Sequence, residues 1–410
     1  MIYVVAPGDT LSGIARLSGS SVAQLQQDNG ILPDQPLVPG QALVVPDRDG
    51  TASEKPLLSV GGYAYPHIRP GVLQQALPFL TTLSIFSYGF REDGTLVEPP
   101  ARWLLQQAGE VGAGAVLVLT STDEDGNFSS QRAAQLFRDR VLQTQVLDSL
   151  LQVLIEKGYV GLDADFEYIP ETDRDAFFAF LDNARERLHQ YGFFLQVDLA
   201  PKTYAQQPGL LYVAHDYAVI GSIADTVLLM TYEWGYAYGP PMAIAPLPQV
   251  EAVVRYAVTE IPTWKIQLGI PNYGYDWTLP YEPGRRAVTL GNEEAVRLAA
   301  QVGAEIQFDP VSQAPTFQYQ TAGTIHQVWF EDARSVQAKF DLIERNQLVG
   351  GTYWNLLRPF PQNWALAAQR ITPRSLWQGS LQSPSVTGRK GSRCLPDVSC
   401  HSGSYPPCSF

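Results

Sequence analysis

From residue 57 onward the chain alternates short apolar runs with longer amphipathic segments. The short runs fall at 57–65, 82–88, 115–121, 159–167, 193–200, 225–232, 265–273 and 349–355. Helical spacing fills most of the gaps, as over 131–157 and 173–191. Apolar runs of strand length that alternate with helices mark a parallel sheet buried on both faces. Eight such repeats over about 320 residues predict an α/β protein, a (β/α)8 TIM barrel. The interval between the seventh and eighth strands is too long for one helix. A small α+β insertion is expected there, over about residues 276–334.

The first 46 residues carry a different and shorter pattern, β-α-α-β. Tyr3-Val4-Val5 reads as a strand. Gly8-Asp9-Thr10 reads as a turn, with Asp9 or Thr10 able to cap a helix that holds Leu11, Ile14 and Ala15. Val22 and Leu25 mark a second helix, stopped at Asn29-Gly30, and Ala42–Val45 form the closing strand. Residues 47–56 are charged, small and proline-containing, which predicts a linker ahead of a barrel domain at 57–375. From about residue 376 the chain is rich in Ser, Gly and Pro without hydrophobic period, and a disordered tail is expected over 376–410.

Composition narrows the function. A formal net charge of −13 repels polyphosphate, so nucleic acid is a poor ligand, whereas a neutral glycan meets no such barrier. The charge by itself is equally that of a well-solvated surface. No apolar run reaches the ~20 residues of a membrane span. The N-terminus has neither a basic n-region nor an apolar h-region, so no secretory signal is expected. All three cysteines, Cys394, Cys400 and Cys408, sit in the tail. The body is therefore expected to hold no disulfide and no thiol chemistry, and because the spacing around His401 fits no common zinc pattern, no metal site is expected.

The stretch Gly161-Leu162-Asp163-Ala164-Asp165-Phe166-Glu167 carries the chemistry. A strand turns alternate residues to one face, so Asp163, Asp165 and Glu167 share a face and Leu162, Ala164 and Phe166 share the other. Packing the apolar set on the helices points the acids to the barrel axis, ending at the C-terminal mouth where barrel active sites lie. Same-face neighbours stand only ~6.5 Å apart, so burial and mutual repulsion raise at least one pKa and give a proton donor near neutral pH. The acids could instead cap a helix or bind a cation, but a single strand offers poor octahedral geometry for magnesium or calcium.

This stretch resembles the G-x-D-x-D-x-E signature of glycoside hydrolase family 18, with Val160 where that pattern often begins with Asp. The resemblance implies Glu167 as general acid/base, Asp165 as the group that orients the substrate's acetamido group, and Asp163 as a tuner of Asp165. Met230-Thr231-Tyr232-Glu233 looks like the family's M-x-Y-D element, with Glu233 in the place of Asp. By that likeness Tyr232 hydrogen-bonds the acetamido carbonyl and Glu233 contacts the sugar. Gly351-Thr352-Tyr353-Trp354 resembles the segment whose tryptophan floors the reacting sugar, and Tyr273 reads either as a further sugar contact or as core. The family works by substrate assistance, in which the acetamido oxygen attacks the anomeric carbon. Retention of configuration follows, and no cofactor is implied.

Residues 3–46 resemble a LysM module, which implies binding of N-acetylglucosamine in peptidoglycan or chitin. The implied contacts are Gly8, Asp9, Thr10, Leu11, Asn29 and Ile31. The module together with MTYEWGYAYGPPMAIAP, LGIPNYGYDW, VWFEDARSVQAKF and YWNLLRPFPQNW resembles the spore-cortex glycosylases of endospore-forming bacteria. That resemblance implies an N-acetylglucosaminidase acting in cortex degradation during germination. It places the protein at the spore coat or cortex surface, made in the cytoplasm without a signal peptide. A chitinase and a silent glycan-binding coat protein on the same barrel stay open as alternatives.

Overall fold

The computed structural model describes residues 1–47, 55–122 and 127–375. Among them, eight parallel strands close into a barrel: Leu57–Ala64, Thr82–Phe90, Gly114–Thr120, Gly161–Asp165, Phe194–Leu199, Thr226–Leu229, Ile266–Pro271 and Gly350–Trp354. The first pairs with both the second and the eighth, which closes the ring. Six of the eight lie within the apolar runs read from the sequence; Thr82–Phe90 runs two residues past its run and Gly114–Thr120 begins one residue before its own. Helices over Ser130–Arg138 and Arg140–Lys157 replace the single helix expected at 131–157. The break falls at Asp139, whose carboxylate accepts from the amides of Val141 and Leu142 and so caps the second helix. The main core lies between strands and helices. Leu162, Ala164 and Phe166 are fully buried there, with Phe166 edge-on to Phe137 and Phe180. Most of the linker expected at 47–56 and all of the tail from 376 lie outside the described residues.

Between strands seven and eight stands an antiparallel sheet of five strands with helix Asn292–Val302 against it. It begins at Gly274 and runs to Trp329, so the α+β insertion opens directly off the seventh barrel strand. No helix among the described residues is long and apolar enough to cross a membrane.

The N-terminal module has strands Ile2–Val4 and Ala42–Val44 and helices Leu11–Ser18 and Val22–Asn29. Thr10 and Ser21 cap the two helices by accepting from the amides of Gly13 and Gln24, and Gly19 and Gly30 close them in the left-handed conformation. The module is docked on the barrel by polar bridges. Gln362 of helix Pro361–Arg370 donates to the Ala42 carbonyl at 2.7 Å and to Asn29 Oδ1 at 3.2 Å. Gln369 joins the Val45 carbonyl to the N-terminal amine of Met1, and Arg334 donates to the Gly40 carbonyl. The Ile306 amide donates to the Pro39 carbonyl. At Gly40 a methyl group would overlap the Ile306 carbonyl, so the close approach requires glycine. Val38 completes the seam by packing into the apolar cluster of the insertion.

Candidate active site

The fourth barrel strand ends at Asp165, and the chain turns outward at the C-terminal mouth. Asp163 and Asp165 are buried on the barrel axis, and Glu167 follows two residues on, partly open to a cavity of about 450 Å³. A ring of polar side chains beneath them satisfies the interior: Gln267 donates to Gln196 Oε1, and Thr352 donates to Gln267 Oε1. Asp163 accepts from Tyr63 at 2.6 Å and from Gln196 at 2.9 Å. Tyr63 lies between Asp163 and Asp198 of the fifth strand, with its hydroxyl 2.8 Å from Asp198 Oδ2.

Burial works against every charge here. Asp163 is pushed up to about 6 by desolvation, with hydrogen bonds from Tyr63, Asp198 and Gln196 pulling the other way. Asp198 is raised well above the ordinary carboxylate range by burial and then by the charges of Asp163 and Asp165. Asp165 is raised by burial and then by repulsion from Glu167 and Asp163. One oxygen of Asp163 and one of Asp165 are buried without a partner. Such oxygens are costly unless a proton or a substrate donor meets them. Glu167 is pushed up to about 7 by burial and by the neighbouring Glu233 carboxylate, the range a proton donor needs at neutral pH.

The peptide that carries Glu167 is braced from behind. Buried His215 accepts from the Ala200 amide at Nδ1 (2.7 Å), which fixes the tautomer. Its Nε2 then donates to the Phe166 carbonyl at 3.1 Å. Burial holds this imidazole down near 4, so it stays neutral and keeps the donor.

After the sixth strand, Met230, Tyr232 and Glu233 all reach the cavity. A methyl group at Gly269 would crowd the Tyr232 ring, so that glycine makes room for it. Tyr232 is half-buried beside Asp198 and Asp165, and desolvation first and then their charges raise its phenol. Glu233 adopts φ 66° and accepts hydrogen bonds from Tyr273 and, at 2.9 Å, from Tyr275. Trp354 closes the floor, edge-on to Tyr63 at 5.3 Å and Phe86 at 5.1 Å. Phe128, Tyr212, Trp234 and Tyr236 extend the cavity outward. Such an arrangement offers a proton donor beside an aromatic floor, with acceptors placed for an amide N–H. Among the described residues, no group of three His, Cys, Asp or Glu side chains is set to hold a metal.

The structure therefore gathers Asp163, Asp165, Glu167, Met230, Tyr232, Glu233 and Trp354 at one mouth, with Tyr273 behind Glu233. Tyr63, Asp198 and His215 were not singled out from the sequence. Asp198 had a signal: Gln196 and Asp198 alternate with Leu195, Val197 and Leu199, a second polar face aimed at the axis.

These observations set the comparison with known proteins. The family model described as glycosyl hydrolases family 18 matches residues 122–358, and the LysM domain model matches residues 3–46. The chain belongs to glycosyl hydrolases family 18. This family 18 glycosidase is 39% identical to the cortical fragment-lytic enzyme of Bacillus subtilis, over 90% of this chain and 98% of that one. The crystal structure of the Bacillus cereus spore cortex-lytic enzyme SleL superposes with a TM-score of 0.87 at 33% identity, covering 92% of this chain and 98% of that one. A chitinase from Chromobacterium violaceum gives a TM-score of 0.71 at 26% identity, over 77% of this chain and 100% of that one.

The LysM residues of the family 18 glycosidase lie apart from the barrel mouth, and two depart from expectation. Asn29 and Ile31, expected to touch glycan, have buried side chains instead. Asn29 donates to the carbonyls of Leu25 and Val44 and accepts from the Val44 amide, which ties the second helix to the closing strand. Ile31 belongs to the module's apolar core, and Leu11 packs against it. Asp9 accepts from Tyr3 and from the Ala6 amide, Thr10 caps its helix, and Gly8 stands open to solvent.

Proposed function

We propose that this glycosidase hydrolyses spore-cortex peptidoglycan after N-acetylglucosamine, using the substrate's own acetamido group as nucleophile. The observation that carries the reading is Glu167, a carboxyl held up to about 7 at the mouth of a column of buried acids. Glu167 donates its proton to the leaving glycosidic oxygen. The acetamido oxygen attacks the anomeric carbon as that bond breaks, forming a cyclic oxazolinium. Asp165 accepts the acetamido N–H and offsets the positive charge that develops on it. Asp163 and Asp198, joined through the Tyr63 hydroxyl, tune the charge state of Asp165 across that step. Tyr232 donates to the acetamido oxygen and aligns it, and Trp354 supports the ring. Glu167 then takes a proton from water, which opens the oxazolinium from the opposite face and restores the starting configuration.

The cortex assignment draws on the similarity to cortical fragment-lytic enzymes. It also draws on chemistry: a muramic δ-lactam ties its nitrogen into a ring and cannot supply the attacking oxygen, so an N-acetylated sugar occupies the reacting position, and N-acetylglucosamine is the one assigned to it. The same reading places the protein at the spore, acting on cortex during germination, with LysM anchoring it to glycan. The similarity to a chitinase favours chitin as the second reading, with the same mechanism. Mass spectrometry of a cortex digest separates the outcomes. Fragments ending in reducing N-acetylglucosamine are expected. Reducing ends of muramic lactam from this enzyme alone would contradict the mechanism, and turnover of chitin oligomers without turnover of cortex would favour the second reading.

A further inference from the structure

We propose that the LysM module and the barrel cleft form a single track for one glycan strand, with the module holding the non-reducing side of the bond that is cut. The inference rests on the hydrolase reading above and adds a polarity and an extended binding surface to it.

The barrel mouth has two arms that meet at Trp354 and Glu233. Glu167 lines the first arm, together with aromatic side chains such as Tyr212 and Trp234. The oxygen that receives the Glu167 proton belongs to the leaving sugar, so the reducing-side sugars lie in this arm. The second arm, of about 490 Å³, shares Trp354 and Glu233 but has no wall from Glu167, so it takes the non-reducing side. Its lining includes Arg69, Thr289, Glu294 and Arg358 beside Ile68 and Leu357, with Arg358 donating to Glu294 at 2.8 Å. Arg69 is exposed and points no hydrogen bond into its own helix. A wall of guanidinium and carboxylate groups suits the hydroxyl and amide groups of a sugar chain.

The helix that carries Glu294 of this arm also contacts the LysM module. Glu294 is followed back along the chain by Glu293, which is held by Arg297 at 3.2 Å and packs so closely on Gly30 that a methyl group there would collide with its carboxylate. Gly30 opens the loop after the second LysM helix, one side of the groove that the LysM resemblance assigns to glycan. Leu32 of that loop is exposed, an apolar surface suited to a sugar face. The bridges from Gln362, Gln369, Arg334 and Ile306 fix the module's orientation on the barrel. The seam between Gly30 and Glu293 thus joins the helix that walls the second arm to the LysM loop, and the order is LysM loop, second arm, Trp354, Glu167 and first arm.

The test uses the full chain with a tetrasaccharide and long strands prepared from the same cortex, the strands labelled at one end or the other. Wild type is expected to favour strands over the tetrasaccharide in kcat/KM. Leu32→Asp is expected to reduce that ratio about five-fold, the size of one modest contact. Immobilised wild type should retain the fragment labelled at the non-reducing end and release the reducing-end fragment. An unchanged ratio in Leu32→Asp, or retention of the reducing-end fragment instead, would overturn the track. Wild type that cuts neither substrate would remove the hydrolase reading itself.

Discussion

Two regions of this protein bury charge, and they handle it in opposite ways. Behind the insertion, Lys339 and Glu331 form an ion pair of 2.8 Å with side chains 2% and 0% exposed. Burial raises the Glu331 carboxyl, and the ammonium pulls it back down. At the barrel axis, Asp163, Asp165, Asp198 and Glu167 face one another with no lysine or arginine among the described residues acting on them, and two of their oxygens have no partner. The first region sets a cation against its carboxylate, although Glu331 Oε1 also lacks a hydrogen-bond partner. The second sets no cation against its acids, and in the proposed mechanism the positive intermediate supplies that compensation, so its cost falls on stability and its return is in the transition state.

That contrast predicts that the two regions respond oppositely to losing a charge. Lys339→Ala should destabilise the fold by about 3–5 kcal/mol in urea denaturation, because it strands a buried carboxylate. The double variant Glu331→Gln/Lys339→Met should recover most of the loss. A single variant as stable as wild type would mean the pair is not structural. Asp165→Ala should leave the fold intact while kcat falls about 10²–10³-fold, the scale of losing one preorganised electrostatic group. A loss confined to KM would remove Asp165 from the chemical step.

His215 sharpens the comparison, since it serves the acid column without touching substrate. His215→Ala should lower kcat about ten- to a hundred-fold at nearly constant KM, by loosening the peptide ahead of Glu167. His215→Gln retains one acceptor and one donor and should restore part of the rate. Equal losses in both variants would point to a general packing defect.

The smallest effect is on stability against pH. The Glu167 carboxyl rises from an ordinary 4.5 to about 7 on folding. The folded state then holds the proton more tightly, so its contribution is full below pH 4.5 and is lost as pH climbs through 7. Glu167→Gln removes that loss. The variant should match wild type near pH 4 and exceed it by ~1–2 kcal/mol at pH 8. Equal stability at both pH values would show that Glu167 is not held neutral.

Much of this was legible in the sequence because barrels repeat. The eight apolar runs each became a strand, and the period of two placed Asp163 and Asp165 on the axis. The rest depended on contacts between distant segments. Tyr63 reads as one more aromatic in a buried strand until the closed ring sets it between Asp163 and Asp198, 100 and 135 residues away in sequence. His215 lies outside the strands and acts through a carbonyl, which leaves no pattern. Asn29 misled for the reverse reason. Its place in a glycan-binding motif is also the place where two segments of the module must be tied, and the tie uses the whole amide.

The most direct measurement is reducing-sugar release from purified cortex fragments by wild type and Glu167→Gln, with glycan binding followed in parallel. The account predicts that both proteins bind and that only wild type releases ends, with the variant down about 10²–10⁴-fold. Release by the variant at the wild-type rate would contradict the assignment of Glu167 as the proton donor. Binding by both proteins with release by neither would make the barrel a glycan-binding surface.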